Sequence, residues 1–595
     1  MVRVTAPSIF LACLLPSLAA WGSVIPRAPE EFDYVIVGAG AAGSVLANRL
    51  TEGNRFSVLL LEAGPDNEGV LEGTVPYIYP RMFGGPYNWN YSTAPAPGLG
   101  NRNGPYFRGH VLGGSTAING MTYTRGPSTD WDRLASHLGD SSWSWARIQS
   151  YFRKNEAFEA PPGPPNNRFT PSVHGTSGAI GVSLNLNNEW IVPPTLQAAS
   201  EIGLPYNNDV NSGNPIGISW QQFAIKNGAR SSAATGYLRQ NVAGRTSLNV
   251  RVNARALRLV PNSGPGPLTF RTVEYRDETN GNLFVPVDIV EVSARRDVIV
   301  SAGVIDTPTL LMRSGLGDPT ELRAANITPR FTIPALGNNF IEHPGVPMSW
   351  SVNTTLTDDE LDKDPALFAR ELERWNTNKT GRLAQTSLTH IMYNRLPRNH
   401  SIFRTVSDPS GGANAPHYEQ IVANKWVTLG ARPAGNFIGM TQFVMAPTST
   451  GSVKLNPADI LGPPIINANS FNTEWDKAVI RHAIRSSIAY MRSPAWAPFN
   501  IQPTFDPTVA DTDARLDAFV AASGFGGAHG VGTARIGRAN SRPGSDVVGP
   551  DFRVKGIRGV RIVDASVLPF SPAAHAMVPV YVLAEKAADT IKAAP

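Results

Sequence analysis

The 595-residue chain contains a single cysteine, Cys13, which lies in an apolar stretch at the N-terminus. With no second cysteine, an intrachain disulfide and a Cys-based zinc site are both excluded, and the rest of the chain has no thiol nucleophile. Histidine is scarce as well, at 10 residues, and none stands in a metal-ligand spacing such as HExxH. No serine sits in a convincing nucleophile-elbow context, which argues against a serine hydrolase. Lys and Arg number 52 against 47 Asp and Glu, and the net +5 is spread along the chain without a basic block. A nucleic-acid partner is therefore not expected. The one long apolar run, from Ile9 to Ala20, is shorter than the ~20 residues of a membrane span and is broken by Pro16.

One basic residue, Arg3, a short apolar core and small residues near 20 to 22 make residues 1–22 an expected secretory signal peptide, with a membrane anchor as the alternative reading. The mature protein is then expected to be extracellular, free of cysteine, and stable through its core alone. Sequons at Asn90, Asn326, Asn353, Asn378 and Asn399 fit surface glycosylation. At 42% hydrophobic and 17% charged residues, the chain can bury a large core arranged as two domains, or as one with a large insertion.

Beyond a short linker comes FDYVIVGAGAAGSVLANRL, an apolar strand, a glycine turn and a helix, followed by a second strand in SVLLLEAG (57 to 64). This β-α-β unit predicts a parallel sheet covered by helices. Similar signals return in DVIVSAG (297 to 303) and VRIVDASVLP (560 to 569), so the nucleotide-binding domain is expected to be discontinuous and closed by the C-terminus. Its predicted pieces are 31–70, 105–130, 215–330 and 540–595. The remaining 71–104, 131–214 and 331–539 are assigned to a second, α+β domain that shapes the substrate pocket.

Three segments carry chemistry. In Gly38-Ala39-Gly40-Ala41-Ala42-Gly43, Gly38 makes the strand-to-helix turn, Gly40 lets the backbone approach a pyrophosphate, and Gly43 permits close helix packing. Glu62, followed by Ala63, ends the second strand where a carboxylate takes ribose hydroxyls, which favours an unphosphorylated ribose, FAD or NAD rather than NADP. In RGHVLGGSTAINGMTYTRG (Arg108 to Gly126), the residues Val111, Gly114, Ser115, Asn119, Gly120 and Met121 form a segment whose backbone can lie close to a flat ring. Late in the chain, His529 stands in a glycine-rich turn and His575 just ahead of the last helix-like segment.

The Arg108 to Gly126 segment, together with SAGVIDTPTLLMRSG (Ser301 to Gly315) and the terminal VDASVLPFSPAAH, resembles the two signatures and the C-terminal motif of the glucose-methanol-choline (GMC) oxidoreductases. The resemblance covers essentially the whole chain after residue 30 and is greatest to the fungal branch of aryl-alcohol oxidases, pyranose dehydrogenases and glucose or oligosaccharide dehydrogenases. It implies an α/β fold, with a discontinuous Rossmann-like FAD-binding domain and a second α+β substrate-binding domain. It further implies that His529 takes the hydroxyl proton of an alcohol while His575 hydrogen-bonds the same oxygen, with hydride passing to flavin N5. Asp564 and Ala565 are implied near the ribityl chain, and Ala576, Met577 and Val578 at the pyrimidine end. Ala256 is implied at the adenine, although a plain core-strand role suits it equally.

Some positions depart from the family pattern. Where pyranose dehydrogenases carry a histidine bonded to the flavin, this chain has Ile118, so noncovalent FAD is expected. Aryl-alcohol oxidases carry aromatic rings at the places of Gly120 and Ala528, and their absence predicts a wider, less aromatic site suited to a sugar. Phe525, Tyr87, Trp89 and Trp426 are the rings that could still line it. The expectation is a carbohydrate dehydrogenase using a quinone or radical acceptor. The alternatives are an aryl or primary alcohol oxidase that reduces oxygen to hydrogen peroxide, and a lyase or cyclase that keeps FAD as a structural group.

Overall fold

The computed structural model describes residues 30–594 except 162–167, 187–188, 240–241, 243, 263–265, 280–288 and 543. The expected leader, and Cys13 with it, lie outside the described residues.

Strand Glu30–Val37 ends in four buried apolar residues and pairs in parallel with Val58–Leu61 on one side and Ile289–Val300 on the other. Uninterrupted apolar runs of this kind suit a parallel strand covered on both faces. Leu248–Arg251 adds a further parallel strand beyond Val58–Leu61. Val560–Ile562 returns from the C-terminal region to pair in parallel with Val298–Val300. Phe270–Asp277 and Ala254–Pro261 extend the sheet antiparallel. Helix Ala41–Leu50 packs against the last helix, Met577–Ala593, so the two ends of the chain close one core.

A second sheet is antiparallel throughout and contains Gly217–Trp220, Leu388–Asn394, Tyr418–Ala423, Phe437–Val444 and Pro344–Ser351 in that spatial order. Helix Glu474–Met491 backs it, burying Trp475, Val479, Ile480, Ala483 and Ile484 in a separate core. Phe525–Gly526 pairs with the start of Pro344–Ser351, and this seats the following glycine-rich turn on the edge of the second sheet facing the first. A mixed α/β protein with a parallel nucleotide-binding sheet and an antiparallel substrate-side sheet results.

Two segments lie elsewhere than the sequence pattern suggests. Gly217–Trp220, expected with the nucleotide pieces, is an edge strand of the second sheet. Residues of 131–214 expected on the substrate side, among them Trp131, Trp143, Ile148 and Phe152, join the core of the first sheet instead, and helix Trp145–Asn155 packs against the last helix. Amphipathic helices and short strands carry no mark of which apolar face they will cover, so tertiary packing decides.

Candidate active site

The first motif folds as a tight turn because its glycines have no alternative. Gly38 has φ +97°, and a Cβ on it would stand 2.4 Å from the Ser301 carbonyl oxygen. A Cβ on Gly43 would stand 1.9 Å from the Gly38 carbonyl oxygen. Gly40 faces open space, with nothing within 4 Å of where its Cβ would be. The second motif is keyed directly into the first: the Gly113 N–H donates to Ala39 O at 2.9 Å, and a Cβ on Gly114 would press on Gly40 Cα at 2.8 Å. Glu62 accepts from the N–H of Ala39 at 2.8 Å and of Gly64 at 2.9 Å, and burial pushes its carboxyl up to about 7.

A cavity of about 740 Å³ runs from this turn to the two late histidines. Its wall includes Gly38, Gly40, Ala41, Ala42, Glu62 and Ala63 at one end, with Ala256. Gly114, Ser115, Asn119, Gly120, Met121 and Ile118 line its middle, with Asp564, Ala565, Ala576 and Met577 opposite. Gly43, Val111 and Val578 stand behind the wall: Gly43 packs on the turn, and both valines are fully buried. Asp564 ties two motifs together, accepting from the Gly303 N–H at 2.9 Å, the Thr307 hydroxyl at 2.6 Å and the Ser566 N–H at 2.8 Å. Asn119 Nδ2 donates to Met577 Sδ at 3.3 Å, joining the second motif to the helix whose N-terminus opens on the cavity.

These residues fit a dinucleotide. The exposed edge of Gly40 and the start of the Ala41–Leu50 helix can take a pyrophosphate, since helix N-termini present free N–H groups and positive potential. Glu62 and the Ala254–Pro261 strand can take the adenosine, and the Ser115 to Met121 segment a flat ring. Among the described residues there is no cluster of His, Cys, Asp and Glu that could hold a metal ion.

His529 and His575, separated in sequence, stand side by side on the cavity wall with ring centroids 4.4 Å apart. His529 follows Ala528, whose φ of +61° is costly for a residue with a side chain and is held by a dense set of contacts. The Arg108 guanidinium donates to the Ala528 carbonyl. Glu342 accepts from the His529 N–H at 2.8 Å and from the Tyr106 hydroxyl at 2.6 Å. The ring of His529 contacts His343, Nδ1 to Nδ1, at 3.3 Å, and His343 Nε2 meets the Ser571 hydroxyl at 2.7 Å. Burial, then the neighbouring His575, His343 and Arg108, lower the His529 imidazole well below its ordinary value. Burial lowers His343 to about 3, so it stays neutral and can only tune its neighbour by hydrogen bonding. His575 meets a carboxylate instead, Nε2 to Glu419 Oε1 at 2.9 Å.

Arg108, Glu342, His343 and Glu419 escape a reading of motifs, because each meets the histidines only through the fold. Glu342 and His343 are 187 and 186 residues from His529, and Glu419 is 156 from His575. Acid and histidine standing together in Ile341-Glu342-His343-Pro344, at the start of a strand, were the one local signal available.

The expectation of a less aromatic site is corrected. A Cβ on Gly120 would point at the Tyr79 ring, 3.4 Å from its hydroxyl oxygen, so Tyr79 occupies the space that a ring at 120 would fill. Phe443 stands 5.8 Å from His529 and 5.6 Å from Phe525, ring centre to ring centre, and furnishes the aromatic face missing at Ala528. Phe83 and Phe107, stacked at 4.4 Å, also line the cavity, as does Trp426. Of the other rings considered, Tyr87 packs behind the wall with Met82 and Val111. Trp89 lies under the Arg255 guanidinium, beside Ala256 at the nucleotide end of the cavity.

Comparison with known proteins agrees with this layout. The family model for the N-terminal part of the GMC oxidoreductases matches residues 32–345, and that for the C-terminal part matches 447–584. The chain is 38% identical over 582 residues to the dehydrogenase eriK of Hericium erinaceus, covering 94% of each chain. It is 34% identical over 579 residues to a pyranose dehydrogenase of Agaricus campestris, covering 94% of this chain and 93% of the relative. Among solved structures, formate oxidase of Aspergillus oryzae superimposes with a TM-score of 0.86 at 26% identity, over 95% of this chain and 98% of that one. A fungal aryl-alcohol oxidase superimposes with a TM-score of 0.78 at 25% identity, over 94% and 99%.

Proposed function

From the premise that this chain belongs to the GMC oxidoreductase family, flavoenzymes that act on CH–OH groups, we propose that it is a sugar dehydrogenase in which His529 is the base. The observation that carries the reading is the His529–His575 pair, 4.4 Å apart, at the far end of a cavity that starts on the glycine turn. An alcohol oxygen set against the cavity-facing edge of the pair meets one imidazole that burial keeps neutral, ready to take its proton. FAD, when bound along the cavity, supplies the acceptor for the hydride that leaves the carbinol carbon. Met577 and Asn119 hold the loop and helix that would flank its ring. Tyr79, Phe443 and Phe525 line the cavity and give the substrate apolar surface to pack on.

The choice of a sugar rests on the similarity to pyranose dehydrogenases and no longer on missing rings. The aromatic wall favours a second reading, an aryl or other apolar alcohol as substrate with oxygen as acceptor. FAD is proposed to be held without a covalent bond, because Ile118 on the cavity wall has no atom that can attach to it. Acid precipitation should then leave the yellow colour in the supernatant. Secretion is proposed from the N-terminal leader, and the five sequon asparagines are all exposed, as glycan attachment needs. A shift in mass on endoglycosidase treatment of the fungal-expressed protein tests this.

The substrate reading is tested by mixing the oxidised protein anaerobically with glucose, a β-linked disaccharide or a benzylic alcohol, then admitting benzoquinone or air. Bleaching by a sugar and faster recovery with benzoquinone are expected. Bleaching by the benzylic alcohol alone, with fast recovery in air, would replace the sugar reading by the second one. No bleaching by any alcohol would replace both by a non-redox role.

A further inference from the structure

Arg230 ends a short hairpin in which Ala229–Arg230 pairs with Ile225–Lys226, and its buried guanidinium reaches the Ser115 to Met121 segment of the cavity wall. Nη1 donates to the Thr116 carbonyl at 3.1 Å and to Asn119 Oδ1 at 2.9 Å. Asn119 Oδ1 also accepts from the Met121 N–H at 3.1 Å, which fixes the amide with Nδ2 towards Met577 Sδ. Nε and Nη2 of Arg230 are buried and meet no acceptor among the described residues, and the ionisable groups facing the guanidinium are Tyr79 and Tyr581. Burial lowers the guanidinium to about 9, so it is still a cation at neutral pH. Other cations on the cavity wall have an acid to face: Lys425 pairs with Asp362 at 2.8 Å, Arg313 lies near Asp306 and Arg108 near Glu342. A buried charge without a counter-charge is strongly destabilising, and a neutral amide could donate to the same two acceptors.

We infer that Arg230 is the fixed counter-charge for the reduced flavin and sets its potential from behind the Ser115 to Met121 segment. The inference rests on FAD lying along the cavity and not on the choice of a sugar as substrate. In alcohol oxidation the carbinol C–H bond breaks and its electron pair leaves with the hydrogen as hydride, while the hydroxyl proton goes to His529. The alcohol is oxidised and a neutral ring is reduced by two electrons, so one negative charge appears on the ring. A cation already in place in surroundings of low polarity favours that product over the oxidised form. The bonds to Thr116 and Asn119 hold the guanidinium in place without cancelling its charge, because both acceptors are neutral.

The test is the midpoint potential of the bound flavin, read against reference dyes during slow chemical reduction, which needs no substrate. Arg230→Gln removes the charge and should disfavour the reduced form about tenfold or more, a fall of about 30 mV for a two-electron couple. Arg230→Lys keeps the charge and loses the fork, so its potential should lie closer to wild type than to the Gln variant. Both variants should be purified with FAD. A Gln variant at the wild-type potential, a Lys variant displaced as far as Gln, or loss of FAD from both would overturn the inference and leave Arg230 as a prop for the loop. If Gln alone loses FAD, Asn119→Asp sets a carboxylate against the guanidinium with little change of shape. A fall of about tenfold or more in that variant supports the inference, and an unmoved potential overturns it. Failure of every sugar to reduce the wild-type flavin would sink the sugar reading and leave these potentials to decide the role of Arg230.

Discussion

His529 can serve as a base only in its neutral form, and its surroundings keep it neutral. Burial is the main cause, with His575, His343 and Arg108 adding to it. A histidine lowered in this way is unprotonated above its own value, so it is ready at neutral pH and in mild acid. The rate of anaerobic flavin reduction should hold its plateau down to and below pH ~6.5, the ordinary imidazole value. A stopped-flow pH profile with its midpoint at or above that value would count against this environment. His575, tied to Glu419, should matter less: His575→Ala should reduce the rate by a smaller factor than His529→Ala. Both histidines are legible in the sequence because each sits in a contiguous motif. Glu419 and His343 are not, because their roles arise from strand registers that no local pattern records.

The elements that carry these residues are held by a few specific contacts. Gly114 has φ +54° and meets Gly40 with no room for a methyl group. Gly114→Ala should therefore combine left-handed strain of ~1–2 kcal/mol with overpacking of ~1–3 kcal/mol. The expected outcome is a protein of lower melting temperature that is purified with little FAD. The loop before the last helix depends on Asp130, whose buried carboxylate accepts from the Ala573 N–H at 2.7 Å and is raised by burial to about 6. Asp130→Ala leaves that buried N–H unpaired and should cost ~1–3 kcal/mol in denaturant unfolding, whereas Asp130→Asn, which can still accept, should cost less. The glycine turn, both strands beside it and the last helix follow from the sequence, since their patterns are local. The helices between 128 and 155 and the strand Gly217–Trp220 do not: nothing in their periodicity says which core they join.

At the scale of the molecule, the cavity lies between a parallel sheet that ends in the glycine turn and an antiparallel sheet that supplies Glu419 and Phe443. This division of labour was legible from the order of motifs along the chain. The character of the substrate wall was not. Tyr79 and Phe443 come from segments far from Gly120 and Ala528, yet fill the spaces that those small residues leave. Shape at the site is thus a property of several distant segments together, a helical turn that carries Tyr79 and a strand that carries Phe443. Tyr79→Ala and Phe443→Ala should each open the cavity and raise KM for the preferred alcohol more than they lower the rate of reduction, as steady-state and single-turnover kinetics can separate.

The account stands on one claim, that the buried His529 takes the alcohol proton as the flavin is reduced. The direct test is anaerobic single-turnover reduction of wild type and His529→Ala by the same alcohol, with FAD content matched. The account predicts bleaching of the wild type and a loss of at least ~10²-fold in the variant. A variant that bleaches at the wild-type rate would contradict it.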